Sequence, residues 1–349
     1  MKISKIIVFL SLLFISNNLF SQNLFGGIEI GSKGLKVYIV DKKNNPENDF
    51  EIKSFWSSNI SIQRGIVYQS ELLTQDIEST SKDVLVDYNK LITEYNIDKE
   101  KIYVFISSGV SAAKNINDLV AKIKDLTSIL AIKMNSETES RYLFKACVSN
   151  KNLNNSIVID LGGGSTSVGF MKLKNEKPTF NSINIDTGTV ALSESIFMNA
   201  INPSAKDFTK LIDTYKPELQ TKIKTKLDSE PILETKTKVY LTGGSPWAFS
   251  TLTNKGDVKE KYSEFKLKEV QEYDLLLRNK FNDFKELAKT NEEVALVLST
   301  YSNENLIAAN TILLTTLKNL KKIADKKLYY VKQSEISWLV SFIVEIQNN

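Results

Sequence analysis

The order of apolar and polar positions along the chain predicts short buried strands alternating with amphipathic helices. Apolar runs at residues 102–106 and 239–242 are compact enough for buried strands, whereas apolar positions recur at helical spacing between residues 74 and 95. Further strands are predicted at residues 50–56, 180–186 and 328–331, and further helices at residues 136–148, 190–200, 203–227, 267–289, 303–324 and 334–346. This alternation is typical of an α/β fold.

One motif occurs twice in the sequence, at residues 27–34 and at residues 158–166. Each copy is an apolar run that carries one acid, Glu29 or Asp160, followed by a glycine turn and a second strand, so each copy predicts a β-hairpin. An ordinary glycine-rich hairpin explains the first copy alone equally well. The second copy is more specific, because its three consecutive glycines cost more backbone entropy than a simple turn requires. Together the copies indicate two similar half-domains that face each other across a cleft.

Both turns have the composition of a phosphate-binding site. Without bulky Cβ atoms, successive backbone N–H groups can point at one spot, and such a nest binds phosphate oxygens. A carboxylate just before the turn can hold a hydrated Mg²⁺ beside those oxygens, so Glu29 and Asp160 are candidate Mg²⁺ ligands. The candidate phosphate-binding residues are Gly31, Ser32, Lys33, Gly162, Gly163, Gly164, Ser165 and Thr166.

The N-terminus has the three-part pattern of a secretory signal peptide. Lys2 and Lys5 precede an apolar run at residues 6–15, and a small residue follows at a plausible cleavage point. We therefore expect residues 1–21 to be removed and the mature chain, from about Gln22, to be periplasmic or secreted. The apolar run is short for a membrane span and no cysteine follows it, so we expect no stable membrane anchor after cleavage.

Composition narrows the possible chemistry. The chain contains no histidine, which excludes His-based catalytic triads and zinc sites that need histidine. Its single cysteine, Cys147, excludes an intramolecular disulfide and is expected to be a buried, inert thiol. The formal net charge of +4 falls by two when Lys2 and Lys5 leave with the signal peptide, so nucleic-acid binding gains no support.

These motifs resemble those of the exopolyphosphatase and guanosine pentaphosphate phosphohydrolase (Ppx/GppA) family, in the actin/Hsp70/sugar-kinase superfamily. Residues 28–32 are similar to the family's first phosphate loop, Asp-Leu-Gly-Ser-Asn-Ser, and residues 159–166 to its second loop, Asp-Ile-Gly-Gly-Gly-Ser-Thr-Glu. Weaker similarity extends over residues 108–115, 136–141, 186–192, 306–310 and 327–331. The resemblance implies two RNase H-like, actin-like ATPase domains facing across a cleft, with domain I at 22–150, completed by a C-terminal helix at 331–349, and domain II at 151–330.

The resemblance also implies a reaction and a general base. The family removes terminal phosphate stepwise by attack of water, with Mg²⁺ in the cleft and a glutamate as base. Glu139 is the first candidate for that base and Glu137 the second, because residues 136–141 are similar to the family's Gly-x-Glu-Glu-Ala-Arg segment. Apart from the resemblance, an ordinary acid in the first turn of a helix explains either residue.

A third glycine turn, Gly243-Gly244-Ser245, is a possible nucleotide-side loop. It corresponds to the turn that contacts the adenosine in nucleotide-binding members of the superfamily. A tight strand-to-helix connection explains its glycines equally well.

Four departures from the family pattern bear on activity. Glu29 replaces the first-loop Asp, while Ser111, Ser167 and Ala191 stand where the family has Arg, Glu and Arg. Losing two arginines removes fixed donors that would clamp a polyanion. Lys33, where the family has Asn, either replaces one of them in part or is a solvated surface lysine.

Three functions remain open at this point. The first is an exported phosphohydrolase that acts on polyphosphate or a related phosphoanhydride with Mg²⁺, and that could form a homodimer. The second is a phosphate- or nucleotide-binding module of the same fold without catalysis. The third is an assembly or scaffold role of the actin-like type.

Overall fold

The computed structural model of this chain describes residues 23–43, 50–60, 62, 64–198, 205–332, 334 and 337–347. The expected signal peptide and the predicted helix start near residue 203 lie outside the described residues. Within the described ranges, no helix is both long and apolar enough to cross a membrane.

Strands and helices alternate along the chain as the sequence pattern predicts. The strands are β1 (Leu24–Ile30), β2 (Gly34–Lys42), β3 (Phe50–Asn59), β4 (Ile102–Ile106), β5 (Ile132–Lys133), β6 (Ser156–Leu161), β7 (Thr166–Lys174), β8 (Lys177–Ile185), β9 (Lys238–Thr242), β10 (Tyr262–Phe265) and β11 (Lys327–Val331). The helices are α1 (Arg64–Gln69), α2 (Thr74–Thr93), α3 (Ser108–Ser111), α4 (Ile116–Thr127), α5 (Ser136–Cys147), α6 (Thr189–Met198), α7 (Ala205–Asp228), α8 (Gly244–Thr253), α9 (Leu267–Asn279), α10 (Phe281–Ala288), α11 (Glu292–Thr300), α12 (Asn303–Asn319) and α13 (Ser337–Gln347).

The strands form two sheets with the same internal order. One sheet runs β3-β2-β1-β4-β5 and the other runs β10-β11-β9-β6-β7-β8. In the first sheet β1 pairs antiparallel with β2 and parallel with β4, and in the second β6 pairs antiparallel with β7 and parallel with β9. The second sheet therefore repeats the first, with β10 added at one edge. This repeat confirms the predicted α/β fold class with two RNase H-like halves.

Two glycines in β1 let helices pack closely on the first sheet. A Cβ atom at Gly26 would lie 3.0 Å from Leu91 Cδ1 of α2, and one at Gly27 would lie 3.0 Å from Leu339 Cδ2 of α13. Both leucines are fully buried. The central strand is therefore covered on both faces, as is usual in α/β sheets, and the last helix of the chain belongs to the core of the first half.

Helix α5 lies between the two halves. Its Phe144 packs edge-on against Phe180 of β8, with ring centroids 5.6 Å apart, and its Leu143 shares a core cluster with Tyr38 of the first sheet. Because α5 carries Glu139, the candidate base is held by an element that contacts both sheets.

The sequence pattern merged two helices and missed several short elements. The helix predicted at residues 267–289 is α9 and α10, which are separated at Lys280, where φ is −135°. The prediction did not include α1, with six residues, β5, with two, β10, with four, or α11, with nine. Elements this short contain too few residues for a clear apolar period.

Candidate active site

Equivalent backbone hydrogen bonds close the two glycine turns. Gly31 N donates to Gly34 O at 2.9 Å in the first turn, and Gly162 N donates to Ser165 O at 3.0 Å in the second. Because β1 and β6 are equivalent strands, the turns follow the same ends of the two sheets. Both border one cleft of about 420 Å³ between the halves, large enough for a small ligand.

Most of the predicted site residues line this cleft. They are Glu29, Gly31, Ser32, Lys33, Glu139, Asp160, Gly162, Gly163, Gly164, Ser165, Gly243 and Gly244. The segment after β4 bridges the two turns, because a Cβ atom at Gly109 would lie 3.4 Å from Gly164 Cα and 3.6 Å from Ser32 Oγ. The structure thus brings together three segments that are far apart in the sequence.

Glu139 is the buried carboxylate of α5. The Asn135 side chain caps the helix by accepting a hydrogen bond from Thr138 N at 2.8 Å, which places Glu139 in the first turn. Its side chain is almost fully buried, and Oε2 accepts a hydrogen bond from Ser108 N at 3.3 Å. Glu137 is exposed and does not line the cleft. Residues two positions apart on an α-helix point about 200° apart around its axis, so Glu137 and Glu139 lie on nearly opposite faces. Of the two candidate bases, Glu139 therefore borders the cleft and Glu137 does not.

Two other predicted side chains are committed to internal hydrogen bonds. Thr166 is fully buried and its Oγ1 donates to Thr187 O at 2.8 Å. Ser245 is buried, and its hydroxyl and that of Thr189 share a hydrogen bond of 2.8 Å. Neither residue lines the cleft. The hydroxyls of Thr166 and Ser245 therefore stabilise the turns and do not face a ligand.

The acids of the two equivalent hairpins have different partners. Asp160 Oδ1 accepts a hydrogen bond from Thr242 Oγ1 at 2.9 Å. Both oxygens of Glu29 accept hydrogen bonds within its own hairpin, Oε1 from Lys36 Nζ at 3.0 Å and Oε2 from the hydroxyl of Tyr38. Glu29 is therefore compensated by a cation, whereas Asp160 is held by a neutral hydroxyl.

Burial and like charge raise the pKa of two cleft acids. Burial, with a smaller effect from the carboxylate of Asp160, raises the pKa of Glu139 to about 8, and the hydrogen bonds from Ser108 oppose the rise. Burial is also the main cause of the raised pKa of Asp160, which the hydrogen bond from Thr242 and the charge of Lys36 oppose. Without a bound cation, the cleft therefore favours protonated acids.

The raised pKa of Glu139 predicts that the metal-free protein loses stability as the pH rises. The folded protein holds this proton more tightly than the unfolded chain, so its contribution is fully present below about pH 4.5 and is lost as the pH rises through about 8. With a chelator present, we expect Glu139→Gln to gain stability relative to the wild type by up to about 1.4 kcal/mol per pH unit in this range. Urea unfolding of both proteins between about pH 5 and pH 9 measures this difference. A difference that stays constant with pH would contradict the prediction.

The start of α6 orients the second turn. Thr189 N donates to Gly162 O at 3.0 Å, and Val190 N donates to Gly163 O at 2.8 Å. In a planar trans peptide the N–H points opposite to the C=O, so the N–H groups of Gly163 and Gly164 point away from α6. These contacts leave two adjacent donors of the turn for an anion in the cleft.

Gly188 allows this arrangement, and Gly188→Ala is expected to disturb it. A Cβ atom there would lie 2.5 Å from Gly163 O and from Ser165 N, so the turn would have to move. When hydrogen-bond donors are displaced by about 1 Å, they no longer stabilise the reacting group well. We therefore expect kcat/KM for phosphate release to fall about 100-fold. Steady-state assays of phosphate release measure this effect.

Gly65→Ala is a matched control for Gly188→Ala. Its added Cβ would overlap the backbone oxygen of Glu71, so it also crowds the backbone, but Gly65 does not line the cleft. We expect the control to lose stability and to keep its kcat/KM. Equal loss of kcat/KM in both variants would mean that the Gly188 effect is general destabilisation.

The Gly243–Gly244 turn lines the cleft, but an aromatic side chain covers part of it. Gly243 has φ of 92°, and a Cβ atom there would lie 2.8 Å from Asp160 Oδ1. A Cβ atom at Gly244 would overlap the hydroxyl of Tyr301, whose ring packs 6.2 Å from that of Trp247 between centroids. Tyr301 therefore covers the Gly244 side of this turn.

The positions that depart from the family pattern have different surroundings. Ser111 Oγ donates to Ile106 O at 3.1 Å, and Ala191 N donates to Gly163 O at 3.1 Å. Neither residue lines the cleft, whereas Ser167 does. The side chains of Ser111 and Ala191 therefore provide no hydrogen-bond donor for a phosphate in the cleft.

Arginines from elsewhere in the fold do not replace the two that are missing. The three arginines of the sequence lie outside the cleft lining and form ion pairs: Arg64 with Asp76, Arg141 with Glu345, and Arg278 with Asp213 and Asp274. The cations that do line the cleft are Lys33, Lys36 and Lys332. Lys33 is partly exposed and lines the cleft.

The oxygen donors of the cleft suit a hydrated Mg²⁺ held by few side chains. In the part of the chain that the structure describes, no three His, Cys, Asp or Glu side chains come together as a metal-binding group. Mg²⁺ usually binds through one or two carboxylates and fills its shell with water and substrate phosphate. Asp160 fits this mode because it lies beside the second turn. Glu29 fits less well, since Lys36 and Tyr38 contact both of its oxygens.

The sequence analysis missed the groups that hold the two hairpin acids. The signal for Lys36 was present in the hairpin register, because a turn centred on residues 32 and 33 places Glu29 opposite Lys36, and opposite charges in such pairs attract. Thr242 had no comparable signal, because it lies 82 residues beyond Asp160 on another strand.

Comparison with known proteins gives one family match. The model of the Ppx/GppA phosphatase family matches residues 39–298, a range that starts beyond the first turn and includes Glu139 and the second turn. No curated protein matches the sequence.

Solved structures of similar fold cover nearly the whole chain. A Ppx/GppA family member from Aquifex aeolicus has 18% sequence identity and a TM-score of 0.68, covering 93% of this chain and 98% of that chain. An exopolyphosphatase from Cytophaga hutchinsonii has 13% identity and a TM-score of 0.70, covering 92% of this chain and 98% of that chain. At these identities the likeness concerns the fold, and it agrees with the two-sheet architecture described above.

Proposed function

Because this chain belongs to the Ppx/GppA phosphatase family, we propose that it is an exported phosphohydrolase that releases terminal phosphate from polyphosphate or a related phosphoanhydride. The observation that carries the proposal is the position of Glu139, a buried carboxylate that borders the same cleft as two glycine turns. A carboxylate beside a bound phosphoryl group can orient the attacking water and accept its proton. The N-terminal pattern of Lys2, Lys5 and the apolar run supports export.

In the proposed reaction the turns hold the terminal phosphoryl group and Glu139 handles the proton. The N–H groups of Gly163 and Gly164 donate to phosphoryl oxygens, and the first turn closes the cleft from the other side. Glu139 Oε takes one proton from water while the water oxygen attacks phosphorus and the bond to the leaving phosphate breaks. Once deprotonated, a glutamate with a raised pKa accepts that proton more readily than an exposed glutamate.

Asp160 is the proposed ligand for Mg²⁺. When bound, Mg²⁺ supplies positive charge that offsets the negative charge on the phosphoryl oxygens. Thr242 fixes the orientation of Asp160 at one oxygen. Lys36 compensates Glu29, so that the first turn does not present an unpaired negative charge to an anionic substrate.

Phosphate release by the purified protein tests the proposal. The substrates are long and short polyphosphate, pyrophosphate and ATP, each with and without Mg²⁺. We expect release that depends on Mg²⁺. No release from any of these substrates would contradict phosphoanhydride hydrolysis.

A binding module without catalysis is the second candidate. Ser111, Ser167 and Ala191 favour it, because the family's two arginines and one glutamate are absent there and lysine supplies the cations of the cleft. Such a module would be stabilised against thermal unfolding by polyphosphate and would release no phosphate.

A further inference from the structure

The cleft contains two exposed apolar side chains at positions where polar residues are expected. Phe55 lies on the outward-facing positions of β3, which otherwise carry Glu51, Lys53, Ser57 and Asn59. It is 42% exposed. An isolated exposed apolar residue needs no explanation, but Phe55 lines the cleft.

A second exposed apolar side chain lines the same cleft from the other half of the molecule. Leu296 is 40% exposed on α11, beside the exposed residues Glu292, Glu293 and Ser299, and it also lines the cleft. Asn59 Nδ2 donates to Ser299 O at 3.3 Å, which connects the end of β3 to the end of α11. Phe55 and Leu296 therefore lie on two walls that are joined at one point and that belong to different halves.

The apolar wall leads to the site of the carboxylates. Phe55 is the cross-strand partner of Tyr38, and their rings stack with centroids 6.0 Å apart. The hydroxyl of Tyr38 in turn donates to Glu29. An apolar group seated against Phe55 would thus be connected through Tyr38 to Glu29, the acid that precedes the first turn.

The charges of the cleft do not suit a long polyanion. Three lysines, Lys33, Lys36 and Lys332, line it together with four acids, Glu29, Glu139, Asp160 and Glu293. Lys36 is paired with Glu29, and Lys332 Nζ donates to Val258 O at 2.6 Å. Binding of many consecutive phosphates requires a row of Lys or Arg, and arginine clamps are absent from this lining.

We propose that the substrate is a short organic diphosphate whose apolar head lies between Phe55 and Leu296, and that long polyphosphate is a poor substrate. This inference rests on the proposed function and narrows its substrate class. Water attacks the terminal phosphorus, the P–O bond of the anhydride breaks, and the products are inorganic phosphate and the organic monophosphate. Tyr301 covers Gly244 of the third glycine turn, and a head group between Phe55 and Leu296 would not need that turn.

Binding of two diphosphonates tests the inference without any turnover. Calorimetry with Mg²⁺ compares phenyl methylenediphosphonate with methylenediphosphonate, which has the same phosphorus groups and no apolar head. We expect the phenyl compound to bind about tenfold more tightly to the wild type. Phe55→Ser and Leu296→Ser should each remove most of this preference and leave the affinity for methylenediphosphonate unchanged. Leu275→Ser, at an exposed leucine on α9 outside the cleft lining, is the matched control and should keep the preference.

Turnover assays then show which kind of apolar head the protein accepts. They also distinguish a failure of the substrate inference from a failure of the proposed hydrolysis. Phenyl diphosphate, dimethylallyl diphosphate and ADP represent aromatic, branched aliphatic and nucleoside heads, and we expect kcat/KM for at least one of the first two to exceed that for long polyphosphate by about tenfold or more. Equal binding of the two diphosphonates, or a clear preference for long polyphosphate, would overturn the inference. If the protein binds the phenyl diphosphonate more tightly but releases phosphate from none of the substrates, the proposed hydrolysis is wrong and the apolar subsite is still supported.

Discussion

Replacement of Glu139 by glutamine is expected to lower kcat for phosphate release by about 10²–10⁴-fold, the usual contribution of a general base. Glutamine keeps the size of the side chain and an oxygen that can accept the hydrogen bond from Ser108 N, so the helix and the turns should keep their positions. It cannot take a proton from water. Affinity for a diphosphonate should therefore change little, and the loss should appear in kcat.

Glu137→Gln is the matched control for this substitution. Glu137 lies on the same helix but is exposed and outside the cleft lining, so its variant should keep kcat within about twofold. Phosphate release measured for the two variants under identical conditions separates them. If Glu139→Gln keeps most of its activity while Glu137→Gln loses it, the base has been assigned to the wrong residue.

The hairpins were the most predictable part of the fold. Their apolar runs, acids and glycine turns all lie within about fifteen residues, so the strand pairing and the turn follow from local sequence alone. The residue opposite Glu29 also follows once the turn is known, since the register of a hairpin with a two-residue turn has no freedom. The glycine turns and one ion pair of the candidate site are thus local properties.

The rest of the site depends on contacts between distant segments. Thr242 reaches Asp160 because β9 pairs parallel with β6, and Tyr301 covers Gly244 because α11 ends above α8. A parallel pair requires a long crossover, so no short-range pattern reveals such partners. The choice between Glu137 and Glu139 likewise needed the orientation of α5, since two acids in one helical turn look alike in sequence.

The equivalent hairpins of the two halves differ in the charge that lies opposite their acids. Glu29 and Asp160 occupy the same place in their hairpins, but residue 36 is lysine where the equivalent residue 167 is serine. The first hairpin therefore carries its own compensating cation, whereas the second has a neutral serine at the equivalent position. Burial raises the pKa of Asp160 although the hydrogen bond from Thr242 and the charge of Lys36 oppose the rise. Asp160 is therefore the more informative of the two acids to change.

Asp160→Asn is expected to abolish the response to Mg²⁺ and to lower phosphate release by about 100-fold or more. The asparagine oxygen can still accept the hydrogen bond from Thr242, so the shape of the turn is kept while the charge that holds the metal is removed. In a chelator the variant should be more stable than the wild type near pH 8, because it buries one carboxylate fewer beside Glu139.

Thermal unfolding with and without Mg²⁺, together with phosphate release, measures both effects of Asp160→Asn. Glu29→Gln provides the comparison, since it breaks the ion pair with Lys36 and should destabilise the protein while its response to Mg²⁺ persists. Mg²⁺ raises the unfolding temperature only if it binds the folded protein. Equal stabilisation of Asp160→Asn and the wild type by Mg²⁺ would exclude Asp160 as the metal ligand, and loss of the response in Glu29→Gln alone would assign the metal to the first hairpin.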